Sequence, residues 1–573
     1  MRLLRGSSLL VALFIATAVL AQSAPQLDST LPDIPPVAAV TAQHGMVVAQ
    51  EAQAARIGVQ ILERGGNAVD AAVAVGFALA ATYPRAGNLG GGGFMVIHLA
   101  NGTNTSIDYR ETAPAAATPD MFLDARGEPD LVKSRDTGLA VGVPGSVAGL
   151  LMAEQKYGSG KLKLADLIQP AIELAAGGFT IDDDLADTLP RTYERLTRWP
   201  SSARIFANNG AMLQQGDRLV QPELAATLRA IAQRGAFGFY EGRVAEQIAA
   251  AVRAANGVMT ADDLKNYRPI ERPVMRGTYR GYDVIAMPPP SSGGVCLIDM
   301  LNILEGYDLG RLGRGTEAFH LEIEAMKRAY ADRALYMGDP ASVRMPLDEL
   351  TSKAYAARQR SSIGPRATPS ADIRAGAPAR EGQNTTHYSV IDRDGNAVAT
   401  TTTLNFSYGL GLVAEGTGVL LNNELDDFTA KPGAPNAYGL VGFEANLPGP
   451  NKRPLSSMTP TIVLKDGKPA LITGSPGGSR IISTVLQVIV NALDFKMSVA
   501  QAVQASRLHH QWMPDETDVE PGFAPVALDD LRARGHTLEP TPPYSSANSI
   551  AITPQGYVGA ADSRTHGAMA VGY

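Results

Sequence analysis

Apolar positions along the chain change period several times, and each change predicts an element. His44 to Ala49 reads as a short strand, and Glu51 to Arg64 then carries apolar residues at helical spacing until Gly65-Gly66, residues that favour a helix C-cap. From Ala68 to about Thr82 nearly every position is Ala, Val, Phe or Leu, so a helix there is buried all round, between layers. Gly90 to Gly93 leads into a predicted strand Phe94 to Leu99, an Asn101-Gly102 turn and a strand Ser106 to Glu111. The glycine run lacks the Gly-Lys-Ser/Thr ending of a phosphate loop and enters a strand, which favours a tight connection with close backbone packing. From about Leu150 to Gly364 the period is mainly helical, and Met287 to Gly294 predicts a rigid, then flexible loop before another buried helix. Gln22 to about Ala42 is rich in Pro and small residues and reads as an extended lead-in.

Downstream, Ser370 to Gln383 is small, charged and polar, a linker-like approach to the strand that opens at Thr385. Thr385 to Ile391 alternates, Asp394-Gly395 is a turn dipeptide, and Ala397 to Leu404 continues as the second arm of a hairpin. If Arg393 paired with Asn396, Thr385 would lie opposite Leu404, and Thr403 and Asn405 would point to the other face. For either side chain to meet Thr385, the turn must slip by one residue or hold a bulge. Later, Thr461 to Leu464 and Ala470 to Thr473 flank an Asp466-Gly467 turn, and the Gly-rich Gly474 to Ser479 starts a long apolar helix, Ile481 to Leu493. Strands and helices come in batches in both parts of the chain, which fits two antiparallel sheets between helical layers.

With 573 residues, 45% hydrophobic and 19% charged, the chain can build a large core. A net charge of -7 gives no basic footprint for nucleic acid. Arg2 and Arg5 before the apolar run Leu9 to Leu20, ending Val19-Leu20-Ala21, predict a cleaved export signal over residues 1–21 and a periplasmic or extracellular protein. No later stretch reads as a membrane span. Cys296 is the single cysteine, so no internal disulfide forms, and its apolar neighbours make it a buried structural thiol.

The chain contains no His-Glu-x-x-His, no Cys-x-x-Cys and no Gly-x-Ser-x-Gly, and His509-His510 is poor spacing for two ligands on one metal. Thr385 offers a different chemistry. Cleavage of the Asn384-Thr385 bond would give one residue both a hydroxyl nucleophile and an α-amine of pKa about 7.7 to 8.0 as its base. The glycines before the helix at Ile481 present backbone N–H groups suited to a developing oxyanion.

Five ordered stretches, Thr385-Thr386-His387-Tyr388-Ser389-Val390, Thr403-Leu404-Asn405, Leu421 to Phe428, Pro450 to Met458 and Gly474 to Arg480, resemble those of the γ-glutamyltranspeptidase (glutathione hydrolase) family. Arg110 within Asp108-Tyr109-Arg110-Glu111 and the Asn88 to Phe94 run match as well, so the resemblance covers about residue 40 to the C-terminus. It implies an α+β, four-layer αββα sandwich of the N-terminal-nucleophile hydrolases, made as one precursor that cuts itself between Asn384 and Thr385. Residues 22–384 would form a large subunit and 385–573 a small one, held together as a heterodimer within one domain.

The resemblance also implies roles. Thr385 is the nucleophile and Thr403 orients it; Gly477 and Gly478 form the oxyanion hole; Arg110, Ser456 and Ser457 clamp a donor carboxylate; Asn405, Glu424 and Asp427 take its ammonium. Tyr438, in the loop Pro432 to Phe443, resembles a lid over the donor pocket. The implied reaction transfers a γ-glutamyl group from glutathione and similar compounds to water or to an amino acid or peptide amine, without metal or organic cofactor. Two alternatives differ in observable ways. A cephalosporin or glutaryl acylase of the same fold needs no ammonium site, which Glu424 and Asp427 argue against, and an unprocessed exported binding protein would run as a single band.

Overall fold

The two arms of the hairpin, Thr386–Ile391 and Ala397–Thr403, run antiparallel from Thr386↔Thr402 to Ile391↔Ala397 in a computed structural model that describes residues 34–373, 385–436 and 439–573. The turn holds the anticipated slip. Asp392 rather than Arg393 faces Asn396, with Asp392 N–H donating to Asn396 O at 3.1 Å, and Gly395 takes a φ of +89° in a three-residue loop. A loop of that length closes with its last residue in the left-handed region, where glycine carries no Cβ penalty. Asp392 fastens it by accepting the N–H groups of Asp394 and Asn396, each at 3.0 Å.

This hairpin is central in a seven-stranded antiparallel sheet of order Met569–Gly572, Met46–Ala49, Thr386–Ile391, Ala397–Thr403, Gly92–His98, Asn104–Asp108 and Ile270–Arg272. A second sheet of seven runs Ala39–Ala42, Gly556–Ala561, Asn548–Thr553, Lys468–Thr473, Thr461–Lys465, Tyr282–Ala286 and Met275–Tyr279. Successive side chains of a strand point to opposite faces, and the core clusters follow that alternation. Val47, Met95, Ile97, Val390 and Val398 pack against the helices Ala52–Glu63 and Ala68–Thr82. Their neighbours Val48, Phe94, Val96, Ile391 and Ala399 pack with Ile462, Leu464, Ile472 and Ile550 of the second sheet and with the helices Gly293–Leu304, Thr316–Tyr336 and Arg480–Leu493. Helix, sheet, sheet, helix is the αββα sandwich the sequence implies.

The helix Ala68–Thr82 shows how the sequence meets a double-sided burial. Every residue in it is buried, and Ala and Gly76 keep it slim: a Cβ at Gly76 would come within 2.9 Å of Leu150 and 3.0 Å of the Tyr388 hydroxyl. Its start is fixed by a capping box in which Asn67 Oδ1 accepts from Asp70 N–H at 2.9 Å and Asp70 Oδ2 from Asn67 N–H at 3.0 Å, worth about 1 kcal/mol.

Two expectations need amendment. Ala39–Ala42 is the edge strand of the second sheet, paired with Tyr557 to Ala560, rather than part of an extended lead-in. The loop Met287 to Gly294 is buried throughout, with Ser291 Oγ donating to Met458 O at 2.6 Å and Ser292 Oγ to Ser456 O at 2.8 Å, so its glycine end is packed, not flexible. The export signal over 1–21, Asn384 and Tyr438 lie outside the described residues, as does the approach segment over 374–384.

Candidate active site

Thr385 stands at the open end of the hairpin, 5% exposed. Strand parity puts it on the face shared by His387, Ser389 and Ile391, toward the second sheet. Pairing continued one step beyond Thr386↔Thr402 brings Thr403 beside it. Thr403 is held from both ends: its carbonyl accepts from Asn88 Nδ2 at 2.8 Å, and its hydroxyl accepts from Asn405 N–H at 2.8 Å. Asn405, at a φ of +73°, turns the chain out of the strand, and its Nδ2 donates to Asn423 O at 2.9 Å.

His387, two residues on, is not a base for this site. Burial pushes it down to about 3, leaving a neutral ring wedged between Thr401 Oγ1 at 2.9 Å and Ser389 Oγ at 3.0 Å. It ties the sheets together: Asn548 Nδ2 donates to His387 O at 2.9 Å, and Ser389 Oγ donates to Asn548 O at 2.9 Å.

A pocket opens from Thr385 and Thr403 and is walled by Arg110, Asn405, Glu424, Asp427, Ser456, Ser457 and Gly478. Residues scattered from 110 to 478 therefore converge on one hydroxyl. Arg110 follows the strand Asn104–Asp108, and its N–H is fixed by Asp108 Oδ1 at 2.9 Å. Its guanidinium donates to Glu424 Oε1 through Nη1, to Asp427 Oδ2 at 2.5 Å, and to the carbonyls of Pro454 at 3.1 Å and Leu455 at 3.2 Å. Glu424 and Asp427 share that side because Glu424–Asp427 is a 3₁₀ turn, where residues three apart align. Asp426, between them, points away to Ser134 Oγ at 2.6 Å. Asn422 sets the turn, accepting Glu424 N–H at 3.0 Å and donating to Gly90 O and Gly142 O at 2.8 Å each.

The guanidinium expected to take a carboxylate and the acids expected to take an ammonium are thus joined to each other. Burial pushes the carboxyls of Glu424 and Asp427 up, and the adjacent Arg110 opposes it. Glu111, 3.9 Å from Arg110 Nη1, has no hydrogen-bond partner among the described residues for either oxygen, and burial pushes it up to about 8. Arg110 thus pairs directly with Glu424 and Asp427, and Glu111 stands farther off on the same guanidinium.

Ser456 and Ser457 sit on the buried Pro288 to Ser292 segment. Ser456 N–H donates to Pro290 O at 2.9 Å, and Ser292 N–H returns to Ser456 O at 2.8 Å. Arg333 reaches them from inside the helix Thr316–Tyr336, donating to Ser292 Oγ at 2.9 Å and Ser457 Oγ at 3.2 Å, and it lines the pocket as a second guanidinium. Sequence reasoning missed it, since an Arg amid Tyr330 to Tyr336 carries no local signal of a ligand.

Gly478 borders the pocket and Gly477 its reverse side. Their φ values of +57° and +128° turn the backbone before the helix Arg480–Leu493, and neither N–H donates to a described residue. Those two N–H groups precede the positive end of a helix dipole, a suitable cradle for negative charge. The earlier glycine run serves packing: a Cβ at Gly90, Gly91 or Gly93 would lie 2.0 to 2.4 Å from the carbonyls of Leu420, Thr403 or Thr401.

Other titratable groups are occupied elsewhere. Cys296 is buried and its thiol is pushed up by burial. His509 bonds to Ser483 Oγ at 2.8 Å and His510 to Asp515 at 3.3 Å, toward different partners. His320, Glu324 and His536 lie close enough for an ion, but the rings hydrogen-bond each other at 2.8 Å and Glu324 is held by Arg328 at 2.6 Å and Thr368 Oγ1 at 2.6 Å.

A family model described as gamma-glutamyltranspeptidase matches residues 54–572. The glutathione hydrolase proenzyme of Escherichia coli (strain K12) is 52% identical over 540 residues, 93% of this chain and 93% of that one. Among solved structures, a cephalosporin acylase from Bacillus halodurans superposes with a TM-score of 0.82 at 26% identity over 95% of this chain and 98% of its own. The Helicobacter pylori gamma-glutamyltranspeptidase gives 0.55 at 48% identity over 56% of this chain and 93% of its own.

Proposed function

The chain belongs to the γ-glutamyltranspeptidase family, and on that premise we propose that Thr385 performs both reactions of a self-processing γ-glutamyltransferase and glutathione hydrolase. In the precursor, Thr385 Oγ attacks the carbonyl carbon of Asn384. The peptide C–N bond breaks, the α-nitrogen of Thr385 takes the proton, and an ester remains that water hydrolyses, giving residues 22–384 and 385–573. Thr403 holds the hydroxyl in line.

In the processed enzyme the new α-amine accepts the Oγ proton as Oγ adds to the γ-carbonyl of a donor. The tetrahedral oxyanion lies against the N–H groups of Gly477 and Gly478, each worth roughly 3 to 4 kcal/mol on removal. Collapse breaks the γ-amide bond, the amine leaves with the proton, and a γ-glutamyl-Thr385 ester remains. Water or an acceptor amine then attacks the ester, releasing glutamate or a new γ-glutamyl compound.

The donor's α-carbon bears a carboxylate and an ammonium. Arg110, Ser456 and Ser457 take the first, since a guanidinium offers two parallel donors to a carboxylate. Asn405, Glu424 and Asp427 take the second. Binding exchanges the internal Arg110 pairs for two pairs with the substrate, so a neutral zwitterion enters with charge balance kept. This convergence of Thr385, Arg110 and the Glu424–Asp427 turn in one pocket carries the reading, and it disfavours an acylase for donors lacking the amine.

Removal of residues 1–21 would deliver the protein outside the cytoplasm; no helix among the described residues is long and apolar enough to cross a membrane. The test joins N-terminal sequencing of the smaller fragment to release of a chromogenic amine from a γ-glutamyl anilide. Wild type should yield a fragment beginning at Thr385 and turn over, and Thr385→Ala should do neither. Full turnover by uncut protein would overturn the proposal.

A further inference from the structure

Thr385 and the glycine pair divide two spaces. Gly478 faces the donor pocket, whereas Gly477 and Thr385 also border a second cleft with Arg85, Pro476, Ser545 and Arg564. An amine that attacks the Thr385 ester must come within about 3 to 3.5 Å of its carbonyl carbon. The donor pocket is filled at that moment by the γ-glutamyl group, so the amine comes from the other side.

Of the two guanidinium groups in this cleft, Arg564 is saturated. It donates to Glu520 at 2.7 and 3.0 Å, to Asp562 at 3.1 Å, and to the carbonyls of Val503 at 3.1 Å and Ala505 at 3.0 Å. Arg85 is not. One nitrogen lies 3.3 Å from Asp184 and the guanidinium stands 5.1 Å from the centre of the Tyr83 ring, but its Nε has no hydrogen-bond partner among the described residues and its side chain is 17% exposed. Ser545 is the second group with capacity to spare: its hydroxyl has no partner among the described residues, and the residue is held in the left-handed region at φ +63° against Gly477, where a Cβ would lie 2.1 Å from Ser545 Oγ. A non-glycine residue in that conformation is strained and marks a place where position matters.

We propose that this cleft is the subsite for the amine half of the substrate, and that Arg85 binds the free carboxylate of an amino acid or short peptide there, with Ser545 Oγ as a hydrogen-bonding aid. The inference rests on the assignment of Thr385 as nucleophile. By microscopic reversibility, the amine that leaves and the amine that attacks use the same side, so the subsite holds both the carboxylate-bearing leaving group of glutathione and the acceptor. A γ-glutamyl anilide, whose leaving group has no carboxylate, reaches the nucleophile without this contact.

The processed enzyme is assayed with three reactions: hydrolysis of a γ-glutamyl anilide, hydrolysis of glutathione, and transfer to glycylglycine against glycylglycinamide. Wild type should use glycylglycine with a KM about tenfold below that of the amide, the worth of one charge-assisted contact. In Arg85→Gln, that preference should vanish and the ratio of kcat/KM for glutathione to that for the anilide should fall by about tenfold, with Arg85→Lys in between. Equal KM values for the two acceptors in wild type would overturn the subsite, and this comparison decides the matter even if a variant fails to process. An unchanged glutathione-to-anilide ratio in a processed Arg85→Gln enzyme would overturn the role of Arg85. Absence of anilide turnover in processed wild type would instead strike at the nucleophile itself.

Discussion

Arg110 donates to the Asp427 carboxylate at 2.5 Å, within the pocket that opens from Thr385. A glutaryl donor supplies the carboxylate without the ammonium, so it would part Arg110 from its acids and leave them uncompensated. Wild type should favour γ-glutamyl over glutaryl anilide by on the order of a thousandfold or more in kcat/KM, because unmatched buried polar groups discriminate strongly. Asp427→Asn should narrow that ratio by about tenfold through loss on the γ-glutamyl side and gain on the glutaryl side; an unaltered ratio would contradict the zwitterion pocket.

Thr403 Oγ1 is fixed by Asn405 N–H at 2.8 Å, and Thr403 lines the same pocket as Thr385. Thr403→Val keeps shape and β-propensity but removes the hydroxyl. Both scission and kcat should drop by about 100-fold, the scale of a lost positioning contact, with KM little changed, and Thr403→Ser should recover most of each. Time-resolved gels and initial rates report the two steps separately.

Glu111 lies in the core beside Arg110, and burial lifts its carboxyl from an ordinary value of 4.5 to about 8. Between those values the folded protein keeps a proton that the unfolded chain has released. Its contribution to stability is therefore complete below pH 4.5 and is lost as pH rises to about 8. Glu111→Gln cannot ionise, so its Tm should decline less than that of wild type between pH 5 and pH 8, and parallel declines would refute the assignment.

Gly474 passes over the imidazole of His387, where a Cβ would lie 2.2 Å from the ring. The ring is pinned by Thr401 and Ser389 and has nowhere to go. Gly474→Ala should cost about 1 to 3 kcal/mol, seen as a lowered midpoint in denaturant.

Much of this was legible in the chain, and the residues show why. The hairpin around Asp394-Gly395 could be read because turn chemistry and alternation are local, and even its one-residue slip followed from asking which side chain meets Thr385. Met275–Tyr279 and Tyr282–Ala286 form a local hairpin inside a stretch that reads as helical, and the strand that holds it in the sheet, Thr461–Lys465 beside Tyr282–Ala286, is far away in sequence. Ala39–Ala42 was hidden likewise, its partner being Gly556–Ala561 at the other end. Arg333 was invisible because its role depends on where one helix passes over Ser457. The pairing of Arg110 with Glu424 and Asp427 could not be read either: residue types announce charges, not which of them meet first.

The interleaving of strands in both sheets decides what a cut before Thr385 can and cannot do. Thr386–Ile391 and Ala397–Thr403 lie between Met46–Ala49 and Gly92–His98, and Thr461–Lys465 lies against Tyr282–Ala286, so each sheet is a weave of earlier and later chain. Dilution has no seam to open, and two separately made halves would have to thread strands into sheets that do not exist without them. Were the chain cut there, its continuity would act as scaffolding, needed while the sheets assemble and dispensable once the interlocked strands hold both parts in place.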